Sequence, residues 1–98
     1  MTSEMSFISS LRAFLRVRGF IYTVRKYLYT SPGGFTEVEG VGRCKRTFVT
    51  QLKSTTELVL YVPFSGFEDI VSWQVAIGKF IKTGEAMYLY KVEVLNER

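Results

Sequence analysis

Histidine is absent from the chain, and cysteine occurs once, as Cys44. Without imidazole, histidine-based acid/base catalysis, Ser-His and Cys-His nucleophilic pairs and histidine-ligated zinc are all excluded. With a single thiol there is no intrachain disulfide and no multi-cysteine metal site. Catalysis of any kind would have to run on Lys, Thr, Ser, Tyr or carboxylates. Amide side chains are scarce as well, with Gln51, Gln74 and Asn96 the only ones, a composition that suits a thermophilic source because those residues are thermolabile. No apolar run approaches the ~18 residues of a membrane span. The apolar positions near the N-terminus are interrupted by Ser9, Ser10 and Arg12 with no small-residue cleavage site behind them. These absences describe a soluble, cytoplasmic protein with no membrane contact, no metal and no cofactor.

What is present is a chain of 98 residues, 47% hydrophobic and 15% aromatic. That excludes disorder and is enough for one self-sufficient core, so residues 1–98 are read as a single domain. The net charge of +4 hides an asymmetry. Residues 1–53 carry nine Lys/Arg against Glu4, Glu37 and Glu39, a balance of +6, while residues 54–98 carry four against six, a balance of −2. Localised positive charge is the footprint of a phosphate-backbone partner; segregated surface charge without a partner would leave the same mark.

The spacing of Phe7, Ile8, Leu11, Phe14 and Leu15 predicts an amphipathic helix over Ser6–Arg18, ended by Gly19. Alternation then predicts a strand from Phe20 to about Tyr29, with Phe20, Tyr22, Val24 and Leu28 on one face and Ile21, Thr23, Arg25, Tyr27 and Tyr29 on the other. Thr30-Ser31-Pro32-Gly33-Gly34 is the strongest turn signal and predicts a hairpin into a strand over Phe35–Val41. Gly40 and Gly42 point to a bulge before a third strand, Arg43 to about Leu52, in which Cys44 faces inward as a structural thiol. Glu57–Val62 is ambiguous: its residues favour a strand, but Ser54-x-x-Glu57 has the form of a helix capping box. Pro63 ends that segment, and Ser65-Gly66-Phe67-Glu68 opens a second helix whose wide apolar face predicts heavy burial. Ala86–Leu95 alternates as a final strand.

This order resembles the compact ASCH domains of the PUA-like superfamily. The residues that carry the resemblance are the Phe7–Arg18 helix, Thr23-Val24-Arg25 as the Thr-Ile-Arg-type strand, Ser65-Gly66-Phe67-Glu68 with Trp73 at the second helix, and Tyr88-Leu89-Tyr90-Lys91-Val92-Glu93-Val94 as the closing strand. It implies an α+β fold, a small mixed β-barrel with one helix near the start and another before the last strand. It also implies RNA-related work, since PUA-like domains commonly bind RNA and some small ASCH proteins are amidohydrolases of modified cytidine using Lys, Thr and Glu. Thr23 stands at the position of the nucleophilic threonine. Phe20 occupies the lysine position and Ser65 the acidic position, and the Gly-x-Lys-x-x-Glu-x-Arg motif of other ASCH proteins is not found.

Three readings follow. The first is a non-catalytic RNA-binding module in which Arg25, Lys26, Arg43, Lys45 and Arg46 contact phosphates while Tyr22, Tyr27 or Tyr29 stacks on unpaired bases. For each single tyrosine a place at the edge of the core is the simpler role, and Arg25 could equally be held by a carboxylate such as Glu93. The second is an amidohydrolase-like enzyme on modified nucleosides with Thr23 as nucleophile, Lys26 or Glu68 replacing the missing groups, which requires a Lys amine or carboxylate within ~3 Å of the Thr23 hydroxyl. The third is a structural domain that forms a homodimer through its aromatic strands.

Overall fold

The computed structural model describes residues 3–29 and 34–95. Its elements are β1 (Ser3–Met5), α1 (Ser9–Arg18), β2 (Phe20–Arg25), β3 (Phe35–Val38), β4 (Gly42–Leu52), a 3-10 helix (Thr55–Phe64), α2 (Ile70–Phe80) and β5 (Met87–Val94). The five strands form one sheet in the order β1-β3-β4-β5-β2, with β1 parallel to β3 and every other pair antiparallel. The fold is therefore α+β. Both β1 and β2 are edge strands, so the sheet is open where the sequence had suggested a closed barrel.

The departures from the sequence reading have local causes. α1 begins at Ser9 because residues 3–5 are held extended in the ladder to β3, with Met5 opposite Val38. It ends where expected: Gly19 takes a left-handed conformation (φ 83°) and its N–H reaches the Leu15 carbonyl at 2.8 Å. β2 stops at Arg25, short of Tyr29, and it does not form a hairpin with β3. Instead it pairs with β5, Thr23 opposite Tyr90, at the far edge of the sheet. Thr30, Ser31, Pro32 and Gly33 of the predicted turn lie outside the described residues. Gly40 and Gly42, both at positive φ, make the β3–β4 turn, closed by Val41 N–H on the Val38 carbonyl. The irregularity in the ladder lies at Phe48/Thr50.

The sheet is covered on both faces. Beneath α1, Leu15 packs with Met5, Phe7, Ile21, Val38, Cys44 and Val92. On the opposite face Leu52, Leu58, Leu89, Trp73, Ile77 and Ile81 form a second core under the 3-10 helix and α2. The ambiguous segment resolves as that 3-10 helix, and the capping box is real. Glu57 Oε2 accepts from Ser54 N at 2.9 Å and from Lys53 N at 2.6 Å, while Ser54 Oγ accepts from Thr56 N. Pro63 falls inside the helix, which runs on to Phe64.

The second capping signal misleads by four residues. Asp69 caps α2, accepting from Ser72 N at 2.7 Å. The Ser65 hydroxyl instead donates to the Val62 carbonyl and accepts from Phe67 N, pinning the link between the two helices. Nor is α2 buried all round: Trp73 and Ile77 are, but Val71, Val75 and Phe80 are exposed.

Candidate functional site

Because β2 has no neighbouring strand on its outer side among the described residues, the start of α1 and the end of α2 overhang an open sheet edge. A cavity of about 460 Å³ fills the space between them. Phe7, Ile8 and Leu11 form one wall, and Trp73, Ile77 and Phe80 the other. Thr23, Val24, Arg25, Lys26, Tyr27 and Tyr29 make the floor and rim. The volume lies in the range of small-ligand sites, and the lining is mostly hydrocarbon with a few polar groups, as such sites usually are.

Arg25 is the exceptional group. Its guanidinium carbon lies 4.6 Å from the centroid of the Phe7 ring, and Nη2 donates to the Ser6 carbonyl at 2.9 Å. Its Nε is shut off from solvent and has no hydrogen-bond partner. No carboxylate lies within ion-pair distance among the described residues: Glu93, the partner considered from sequence, sits 3.6 Å from Lys91 instead. Burial lowers the Arg25 pKa, and the nearby Tyr29 partly opposes this. An arginine so strongly basic stays protonated nonetheless. The cavity wall thus holds a buried positive charge with no counter-anion among the described residues, a costly state that an anion in the cavity would relieve.

The rim carries the other matching groups. Lys26 Nζ is 3.9 Å from Glu85 and 5.4 Å from the centre of the Tyr27 ring, and Tyr27 is 62% exposed. The segment from Tyr27 to Tyr29 is fixed by Tyr90, whose hydroxyl accepts from Tyr29 N at 2.9 Å and donates to the Tyr27 carbonyl at 3.2 Å. Desolvation raises the Tyr90 pKa, with the Tyr29 N–H acting in the opposite sense, so the hydroxyl holds its proton for that donor role.

Of the residues singled out from sequence, Thr23, Arg25, Lys26, Tyr27 and Tyr29 meet at this cavity. Arg46 lies one step away: it is buried, stacks 4.8 Å from the Tyr29 ring centre and donates to the Phe35 carbonyl. It supports the rim without being presented to solvent. Arg43 lies over the Phe35 ring at 4.2 Å, and Lys45 is exposed on β4; neither lines the cavity. Tyr22 points to the opposite face, its ring 5.0 Å from Tyr61 and 6.0 Å from Phe64. The basic cluster on β4 is therefore split by strand alternation, which the sequence displayed, and none of its three members lines the cavity.

The nucleophile geometry is not met. Thr23 is buried against the cavity, and among the described residues no lysine or carboxylate hydrogen-bonds its hydroxyl. Lys26 turns to Glu85, Ser65 is tied to the backbone, and Glu68 is exposed on the surface. Cys44 is buried in the α1 core with its thiol pKa pushed up to about 11, chiefly by burial and also by Glu37, which keeps it unreactive. No group of three or more acidic or thiol ligands suited to a metal occurs among the described residues, and no helix is long and apolar enough to cross a membrane.

Sequence reasoning missed Ser6, Phe7, Ile8 and Phe80 as site residues. Phe80 carried a signal in hindsight, since it continues the Trp73 and Ile77 side of α2 at helical spacing. Ser6 and Phe7 had none, because they enter the site only once β1 pairs with β3. No family model matches the chain, and no curated protein or solved structure matches it either.

Proposed function

We propose that this protein is an RNA-binding module of the PUA-like, ASCH-type class that captures an unstacked nucleotide at the Arg25 cavity, without catalysing a reaction on it. The observation that carries the reading is the buried Arg25 guanidinium, with no acidic partner among the described residues, at the wall of an open, aromatic-lined cavity. A phosphate supplies the missing anion, and Arg suits it because its planar fork offers paired donors. The exposed face of Tyr27, beside Lys26, offers a stacking platform for a neighbouring base, worth about 1–3 kcal/mol. Single-stranded or looped RNA fits such a site because its bases are free to leave the stack.

The basic balance of residues 1–53 supports the same partner, as does the chain order, which after the short β1 runs helix, three strands, helical segment, helix and strand. The sheet is open, so the likeness to that class rests on the order of elements and not on a closed barrel. An amidohydrolase-like role would need a base at Thr23, and no described group is placed to act as one.

The test is fluorescence anisotropy of a labelled single-stranded RNA decamer titrated with protein over a range of salt. Phosphate contacts by Arg25 and Lys26 predict a log K against log [salt] slope of about −1.4, because each neutralised phosphate of a single strand contributes roughly −0.7. Arg25→Met with Lys26→Met should flatten the slope, whereas Lys45→Met should leave the cavity contacts unchanged. Salt-independent binding, or no binding to any RNA tried, refutes the proposal.

A further inference from the structure

We infer that a second copy of this chain covers the outer face of α2, with the two helices antiparallel across a two-fold axis. Phe80, Ile77 and Trp73 turn one side of α2 toward the cavity and core. On the other side Val71 and Val75 are 62% and 57% exposed, one helical turn apart. Gly78 continues that line, and apart from the adjoining backbone of α2 itself no heavy atom of the described residues lies within 4 Å of where a side chain would start. Helices apolar on more than one side are normally covered, so this surface lacks a neighbour. The adjacent 3-10 helix, tied to α2 by Gln74 Nε2 on Thr55 Oγ1 at 3.0 Å, exposes Val59 and Leu60 as well.

Charge identifies the neighbour. Exposed Glu68 and Asp69 stand at the start of α2, and exposed Lys79 and Lys82 at its end. Antiparallel packing of two copies sets the acidic end of each helix against the basic end of the other, and it opposes the two helix dipoles. With the axis between Gln74 and Val75, each Val71 falls opposite the other copy's Gly78, where the missing side chain leaves room for it. A parallel arrangement, or a partner of one charge sign, would leave half of these groups facing their like. The surface is distinct from the aromatic strands considered from sequence. It also leaves both cavity mouths open, since they lie on the far side of α2.

The test is sedimentation equilibrium of the whole chain, with circular dichroism to verify folding of each variant. The wild type should dimerise reversibly, and Val75→Asp, at an exposed position, should be monomeric with an unchanged spectrum. Lys79→Glu and Glu68→Lys should each weaken self-association by roughly tenfold or more, and an equimolar mixture of the two should regain it as a heterodimer. A wild type that stays monomeric at roughly millimolar concentration overturns the proposal. So does a dimer that Val75→Asp leaves intact, or a charge-swapped mixture that associates no better than its parts.

Discussion

Replacing Arg25 with methionine separates a functional cation from a structural one. The substitution keeps much of the apolar stem against Phe7 and removes the guanidinium. In the folded protein three contributions change. The hydrogen bond to the Ser6 carbonyl, with a charged donor, is worth about 1.5–3 kcal/mol. The stacking over Phe7 at 4.6 Å adds about 0.5–2 kcal/mol. Against these stands a buried donor without a partner, which costs about 1–3 kcal/mol, on top of the desolvation of the charge itself. The two sides nearly cancel, so Arg25→Met should alter stability by no more than about 1 kcal/mol in urea unfolding followed by circular dichroism. RNA affinity should behave differently: the loss of a charge-assisted phosphate contact of about 1.5–3 kcal/mol corresponds to a weakening of roughly 10- to 150-fold in anisotropy titrations. A destabilisation beyond about 3 kcal/mol with RNA affinity changed less than about twofold would refute the argument, because it would make Arg25 a structural tether.

Tyr90→Phe removes the hydroxyl that both accepts from Tyr29 N and donates to the Tyr27 carbonyl. A loss of about 1–3 kcal/mol is expected, together with faster amide exchange at Tyr29; unchanged exchange there would show that the rim is held by other contacts. The 3-10 helix should be acid-sensitive through Glu57, whose pKa is held below the usual value first by the Ser54 N–H and then by that of Lys53. A carboxylate with a depressed folded-state pKa stabilises above its unfolded value and loses that contribution as pH falls through the folded one. Glu57→Gln should therefore lower the melting temperature at neutral pH and converge on the wild type at strongly acidic pH, as followed by thermal melts; a gap that persists in acid would contradict this.

The sequence by itself determined the local features. Gly19 stops α1 because only a residue without Cβ takes φ 83° at no cost. Ser54 and Glu57 make the capping box because their spacing suffices to close it, and alternation puts Ile21 and Thr23 on one face of β2 and Cys44 inside. Tertiary structure alone decided which strands pair. A turn signal at residues 30–34 does not say which partner buries more, and β2 joined β5 because there its two faces are covered by α1 and by the 3-10 helix with α2. That pairing leaves β2 at an edge of the sheet, sets Ser6 and Phe7 of one segment across a cavity from Phe80 of another, and places Arg25 at the cavity while Arg43 and Lys45 lie away from it. Helical and strand periodicity are fixed by backbone geometry within a few residues. The site joins residues more than 70 positions apart, and burial over the whole chain brings them together.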